Sequence, residues 1–313
     1  MTSLSRSGTE ADPQRSGEAE PRRLTRHRRS SNAWVALAFL APALISLVVL
    51  RLAPAAISLW ESLFHTGILN PDPVFVGLDN YADLFSNSGF QGALLVTLVF
   101  TVVINPVQVG LAFLLATLYT RKAAGARIWR SLVIVPIAAP PAVSAVVWSV
   151  IYRPDGLGNS FLSMLGIPAQ PFLTSPHQAL ASIMVLLSWI GIGYWMMFLI
   201  AGINDIPEEI YEAASLDGAS GWRKMWSITF PMVRRPLAFV LVADTVANFL
   251  VFAPPQILTK GGPDGSTNLL MYDLYNRAYA LGDLNKAQAE VIILVLLALI
   301  VVAVQFRLLR SAD

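Results

Sequence analysis

YEAASLDGASGWRKMWSITFP, residues 211–231, lies between two long apolar segments, 178–201 and 236–257, and is polar where its neighbours are not. Just upstream, Asp205 and Glu208 form a D-x-x-E capping pattern and Pro207 suits a first helical turn, so a helix is expected to begin near Ile206. Glu208, Glu209 and Glu212 crowd its N-terminal half, where the helix dipole favours negative charge. Asp217-Gly218 closes it, because glycine enters the left-handed conformation without a Cβ penalty. Ser220 can cap a second helix carrying Trp222, Met225, Trp226 and Thr229 at three- to four-residue spacing, and Pro231 is expected to stop it. Residues 204–231 thus read as a helix, turn, helix hairpin.

The surroundings make that hairpin unusual. Of 313 residues, 55% are apolar and only 13% charged, and the mean hydropathy of +0.58 lies outside the range of soluble domains. The chain has no cysteine, so disulfides, thiolate metal sites and a cysteine nucleophile are all excluded. Its three histidines, His27, His65 and His177, are scattered, which leaves no histidine cluster for a metal, and none is expected. A net charge of +2 is too small for a nucleic-acid footprint, so no nucleic-acid partner is expected.

Apolar runs long enough to cross a bilayer as helices lie near 33–51, 91–120, 128–152, 178–201, 236–257 and 287–309. Residues 1–32 lack an apolar period and read as a disordered, basic tail ahead of the membrane domain 33–313. Ala53-Pro54-Ala55 resembles a signal cleavage site, but the first apolar run is closer to a span than to a signal core, which favours an uncleaved anchor. Six crossings place both termini on one side. Seventeen of the 22 Lys and Arg fall in the tail, in 121–130, in 202–235 or after Phe306, so by the positive-inside rule the termini and the hairpin are cytoplasmic. On the other side, prolines and acids in 52–90 suggest turns and a short external helix, while Tyr272, Tyr275 and Tyr279 repeat at helical spacing.

A hairpin lying on lipid would carry Lys and Arg on its polar side. Between 204 and 217 there are five acids and no base, whereas Ala213-Ala214 offers a smooth patch beside the Glu212 carboxylate. That combination suits a groove in another protein. Glu212-Ala213-Ala214, three residues, Gly218, nine residues, then Ile228-Thr229-Phe230-Pro231 resembles the EAA loop, E-A-A-x3-G-x9-I-x-L-P, of permease subunits in binding-protein-dependent ATP-binding-cassette (ABC) importers. Phe230 at the usual leucine is its one departure. FVGLDNY (75–81), LTKGGP (258–263) and the following Thr267, Leu270, Tyr272 and Tyr275 resemble external elements of the sugar-type branch, and VVAVQFRLL (301–309) is similar to the glycerol-phosphate branch.

The resemblance implies an all-α, six-span integral membrane protein of the type I ABC importer permease fold, in a bacterial cell membrane. It further implies a second homologous permease, two ATPase subunits and an extracytoplasmic solute-binding protein as partners. Glu212, Ala213, Ala214 and Gly218 would contact the ATPase, with Trp222 and Met225 packing beside them. No G-x4-G-K-[ST] pattern occurs in the chain, so ATP and its Mg belong to the partner ATPase. A solute path needs the few polar groups of the spans, since those are costly unless they face the bundle interior. The candidates are Asn105, Gln108, Ser144, Trp148, Trp189, Tyr194, Asp244 and Asn248. Sugar-type permeases often carry an acid six positions before the threonine of L-T-x-G-G-P; here Phe252-Ala253-Pro254-Pro255 holds none, which leaves the solute among sugars, oligosaccharides and glycerol-phosphate compounds. An ion-coupled secondary transporter would show paired intramembrane charges or repeated broken helices, and a membrane enzyme would need a His, Cys or paired-carboxylate constellation.

Overall fold

A computed structural model describes residues 32–67, 72–120 and 126–310. The expectation for the tail falls on residues outside that set, apart from residue 32. The chain divides into Met1–Ala53 and Pro54–Asp313. The first part contributes α1 (Asn32–Leu47) and a π turn, Val48–Leu52. In the second, α2 (Ala53–Glu61 in full) leads to a two-stranded antiparallel hairpin, β1 (Phe64–His65) with β2 (Val74–Phe75), and then to α3 (Asp79–Ser86). There follow α4 (Ser88–Tyr119), α5 (Ala126–Ile134), α6 (Pro141–Ile151), α7 (Leu157–Met164) and α8 (Ala179–Asn204). The hairpin supplies α9 (Glu208–Leu216), α10 (Gly221–Lys224) and α11 (Phe230–Met232). The chain continues through α12 (Arg234–Phe249), α13 (Ala253–Leu258), α14 (Leu270–Tyr279) and α15 (Leu284–Arg310).

Among the described residues, five helical runs are long and apolar enough to cross a membrane, and a sixth is a pair, Ile128–Ala138 with Pro141–Ile151, bent by 103°. The single span expected over 128–152 is therefore broken. Pro140 and Pro141 lack amide hydrogens, and the residue before a proline is driven out of the helical region; Ala139 accordingly takes ψ 124° and Pro140 ψ 144°. The fifth span is interrupted as well, between α12 and α13, where Pro254 and Pro255 start a new helix. The first membrane-length run covers Leu37–Glu61 rather than 33–51, so Ala53-Pro54-Ala55 lies inside a helix.

Helix α4 is the axis of the second part. It runs along α8 and touches α12 and α14, while α15 packs on α12, α14 and α3. Toward the hairpin, Val109, Ala112, Phe113 and Ala116 meet Trp195, Met196, Leu199, Met225 and Val240. At the opposite end, Leu84, Phe90 and Ala93 meet Phe249, Leu270, Ala289 and Leu294. Exposed Leu296, Leu299, Ile300 and Val304 along α15 are the surface a lipid-facing helix presents.

At that opposite end, Asn80 Nδ2 donates to the Ser62 and Phe64 carbonyls at 2.8 and 2.7 Å, and the Tyr81 and Ser62 hydroxyls are 2.6 Å apart. The FVGLDNY stretch thus ties the short helix α3 to the end of α2. Gly193 lets α8 approach the broken span: a Cβ there would stand 2.1 Å from the Val133 carbonyl oxygen, a backbone atom with no freedom to rotate away. Gly193→Ala should therefore cost about 1–3 kcal/mol of stability, read as a lower thermal midpoint of the purified protein. Gly110→Ala is the control, because its Cβ would meet nothing within 4 Å.

Candidate functional site

Two places carry the polar chemistry, the hairpin and the middle of the bundle. In the hairpin, α9 starts at Glu208 with Pro207 as its cap and no side-chain capping bond. The expected Asp205 cap does not form; Asp205 instead ends α8. Because a proline disfavours helical geometry in the residue before it, α9 can begin only beyond Ile206. Its end matches expectation. Gly218 takes φ +74°, the Ala219 amide donates to the Ala214 carbonyl at 2.9 Å, and the Gly218 amide to Ser215 at 3.1 Å, a Schellman closure. Ser220 caps α10, its hydroxyl accepting from the Arg223 amide at 3.3 Å.

Pro231 does not stop the second helix. Residues Met225–Thr229 form a π turn, closed by the Phe230 amide on the Met225 carbonyl, and helical structure resumes over α11. The wider turn admits an extra residue ahead of the proline and so accommodates its ring. This arrangement directs side chains to opposite sides. Met225 is buried, its sulfur 3.5 Å from the Thr117 hydroxyl, and Tyr211 meets the Thr229 hydroxyl at 2.9 Å. Phe113 of α4 packs on Phe230 and Trp226 with ring centroids 5.7 and 6.2 Å apart. The hairpin is thereby anchored on α4, while Leu216 is 90% and Trp222 67% exposed. Glu212, Ala213 and Gly218 are exposed and Ala214 half-buried. Met225 therefore belongs to the anchor and not to the exposed face.

In the middle of the bundle, Asn105 Nδ2 donates to Thr245 Oγ1 at 2.7 Å, and Asn248 Nδ2 donates to Asn105 Oδ1 at 2.7 Å and Gln108 Oε1 at 3.2 Å. Gln305 of α15 joins by donating to the same Thr245 hydroxyl at 2.8 Å, which in turn donates to the Leu241 carbonyl. Three helices, α4, α12 and α15, are thus stitched together by side chains remote in sequence. Next to this network is a cavity of about 580 Å³ whose wall includes Gln108, Tyr194, Trp195, Asp244, Asn248 and Phe252. Ile137 and Pro141, on either side of the bend in the third span, also line it, as do residues 250–252 at the break in the fifth. Irregular backbone at membrane depth is tolerated where it borders such a cavity.

The sequence-selected polar residues separate into groups. Gln108, Tyr194, Asp244 and Asn248 share the cavity, and Asn105 stands behind it in the network. Trp148 and Trp189 do not line it; they meet edge-to-face with ring centroids 5.7 Å apart, and Trp148 continues to Tyr152 at 5.1 Å. Ser144, on α6, is buried and its hydroxyl has no partner among the described residues. Trp195, Thr245 and Gln305 escaped the sequence reading. Gln305 was findable by the same rule, as an amide in an apolar run. Trp195 was not, because an indole next to Tyr194 in a span has many uses.

Among the described residues, a buried ion cluster holds the end opposite the hairpin. Arg277 of α14 reaches Asp273 at 2.9 Å and Glu290 of α15 at 3.0 Å. Burial by itself would lower the guanidinium pKa, but the hydrogen bonds and charges of Asp273 and Glu290 outweigh it and hold the pKa above its ordinary value.

A family model described as "Binding-protein-dependent transport system inner membrane component" matches residues 108–312. The sn-glycerol-3-phosphate transport system permease protein UgpA of Agrobacterium fabrum is 34% identical over 87% of this chain and 93% of its own length. Its counterpart from Escherichia coli is 31% identical over 89% and 95%. Among solved structures, a bacterial ABC transporter involved in import of the acidic polysaccharide alginate superposes with a TM-score of 0.75 at 21% identity, covering 89% of this chain and 96% of that one. A bacterial alginate ABC transporter in complex with an alginate pentasaccharide-bound periplasmic protein gives 0.77 at 21% identity, over 89% and 95%. The architecture is the type I ABC importer permease fold.

Proposed function

From a chain that belongs to the family of binding-protein-dependent transport system inner membrane components, we propose a division of labour between its two polar regions. The hairpin docks in a groove of a separate ATPase subunit, and the central cavity is this chain's share of the solute path. The observation that carries the first half is the hairpin's exposed face. An acidic helix ends in an almost fully exposed Leu216 beside an exposed Trp222, while the rest of the hairpin is fastened to α4. Exposed apolar groups of that size, rimmed by carboxylates, suit a protein partner.

In this reading the termini and hairpin are cytoplasmic, following the excess of Lys and Arg on their side. A second, homologous permease subunit completes the channel, two ATPase subunits bind ATP and Mg, and lipid surrounds the assembly. An extracytoplasmic solute-binding protein docks at the end that carries α3, α14 and the Lys260–Pro263 turn. Closure of the ATPase dimer shifts the bundle between outward and inward access. The solute is a sugar, an oligosaccharide or a glycerol-phosphate compound; sn-glycerol-3-phosphate is named for the curated relatives and alginate for the solved ones.

The chain has no cysteine of its own, so one introduced thiol reports one position. Leu216→Cys, treated with a short bifunctional maleimide in the assembled importer, should cross-link to the ATPase subunit. Cross-links confined to lipid-exposed or permease residues would overturn the docking.

A further inference from the structure

The cavity at the bend of the third span contains acceptors and aromatic faces but no cation. Among the described residues its lining has no Lys, Arg or His. Asp244 is 1% exposed, beside the Trp195 indole and the Asn248 amide, and its Oδ2 has no hydrogen-bond partner among the described residues. Asn248 Nδ2 gives both hydrogens to Asn105 Oδ1 and Gln108 Oε1, and the Asn248 oxygen and Gln108 nitrogen take no part in those two bonds. Tyr194, Trp195 and Phe252 supply the apolar faces. Gly191 keeps the wall thin at Gln108, since a Cβ there would press on the Gln108 amide at 3.3 Å.

We infer that this cavity takes an uncharged, hydroxyl-rich group and turns away phosphate and other anions. Hydroxyl donors satisfy the spare Asp244 oxygen, the amides accept and donate in turn, and the aromatic rings cover the C–H faces of a polyol. A phosphate would have to shed its hydration shell next to the Asp244 carboxyl, in a buried site whose described lining has no guanidinium or ammonium to pair it. The cavity falls within the size range of small-molecule sites. This rests on the cavity being part of the solute path, and it separates this chain from what the names of its glycerol-phosphate relatives alone would suggest.

The test uses the complete importer in nanodiscs, with cysteines removed from the partner subunits. Ala247, exposed on the cavity wall, is replaced in Ala247→Cys, and its labelling by N-ethylmaleimide is timed with three probes at equal concentration. Maltose, the neutral polyol, should slow labelling, whereas glycerol 3-phosphate and choline should not. Adding Asp244→Asn should raise the maltose needed for the same protection about tenfold, as loss of a buried hydrogen-bonding carboxyl oxygen does; Asp244→Glu should retain it. Equal or better protection by glycerol 3-phosphate or choline overturns the inference, as does protection by none of the three or maltose protection unchanged in Asp244→Asn. The probe order in Ala247→Cys stands even if Asp244→Asn fails to assemble. Failure here leaves the hairpin docking intact, because the Leu216→Cys cross-link reads that separately.

Discussion

Replacing Glu212 by alanine is expected to lower ATP-driven uptake by about 30-fold or more while the complex still assembles and the spans stay folded. Glu212 lies on the exposed side of α9, away from the anchor formed by Tyr211, Met225 and Phe230, so its loss removes no contact within the core. Its carboxylate has the geometry to take an arginine fork in a docking groove. Truncating one member of a hydrogen-bonded charge pair buried at an interface costs about 2–5 kcal/mol, since the other charge is left unpaired. Uptake into proteoliposomes and ATPase turnover by the same preparation should therefore separate: uptake falls, and ATP hydrolysis no longer responds to loaded binding protein. Gly218→Pro should do the same by destroying the closure of α9, because proline cannot take the φ of +74° found there. Normal uptake with normal stimulation in both variants would refute the coupling role.

The second large effect is structural. Arg277→Met should destabilise the protein by about 3–5 kcal/mol, the cost of breaking a buried pair and stranding its partner. Glu290 is fully buried, with one oxygen on Arg277 Nε and the other without a partner, so it loses its only cation among the described residues. Thermal unfolding of the purified importer should show the drop. The double variant Arg277→Met/Glu290→Leu should recover a large part of it, because removing both charges removes the desolvation problem. An Arg277→Met protein as stable as the parent, or a double variant worse than the single, would show that the cluster does not clamp α14 to α15.

Local chemistry was the legible part. The Gly218 closure and the Ser220 cap follow from residues within a few positions of one another, and both formed. Where two local signals competed, reading them was harder. Asp205 and Glu208 looked like a capping pair, yet Pro207 between them set the helix start. Pro231 looked like a stop, yet a π turn absorbed it, an outcome that depends on Phe230 and Met225 having a core to pack against. The break in the third span was written in Pro140-Pro141, but span length and apolarity masked it.

By itself the sequence determined the class of molecule, the apolar segments and the hairpin with its spacing, because hydropathy, caps and turns act over one or two helical turns. Only the tertiary structure decided which polar groups meet. Asn105 and Thr245, Asn248 and Gln108, and Arg277 and Glu290 pair because helices cross at particular depths and rotations, set by close approaches such as Gly193 on Val133. The same packing sent Trp148 and Trp189 to an edge-to-face pair of their own and brought Trp195 to Asp244. A polar residue in an apolar run announces that it needs a partner; the crossing of the helices decides which one it finds.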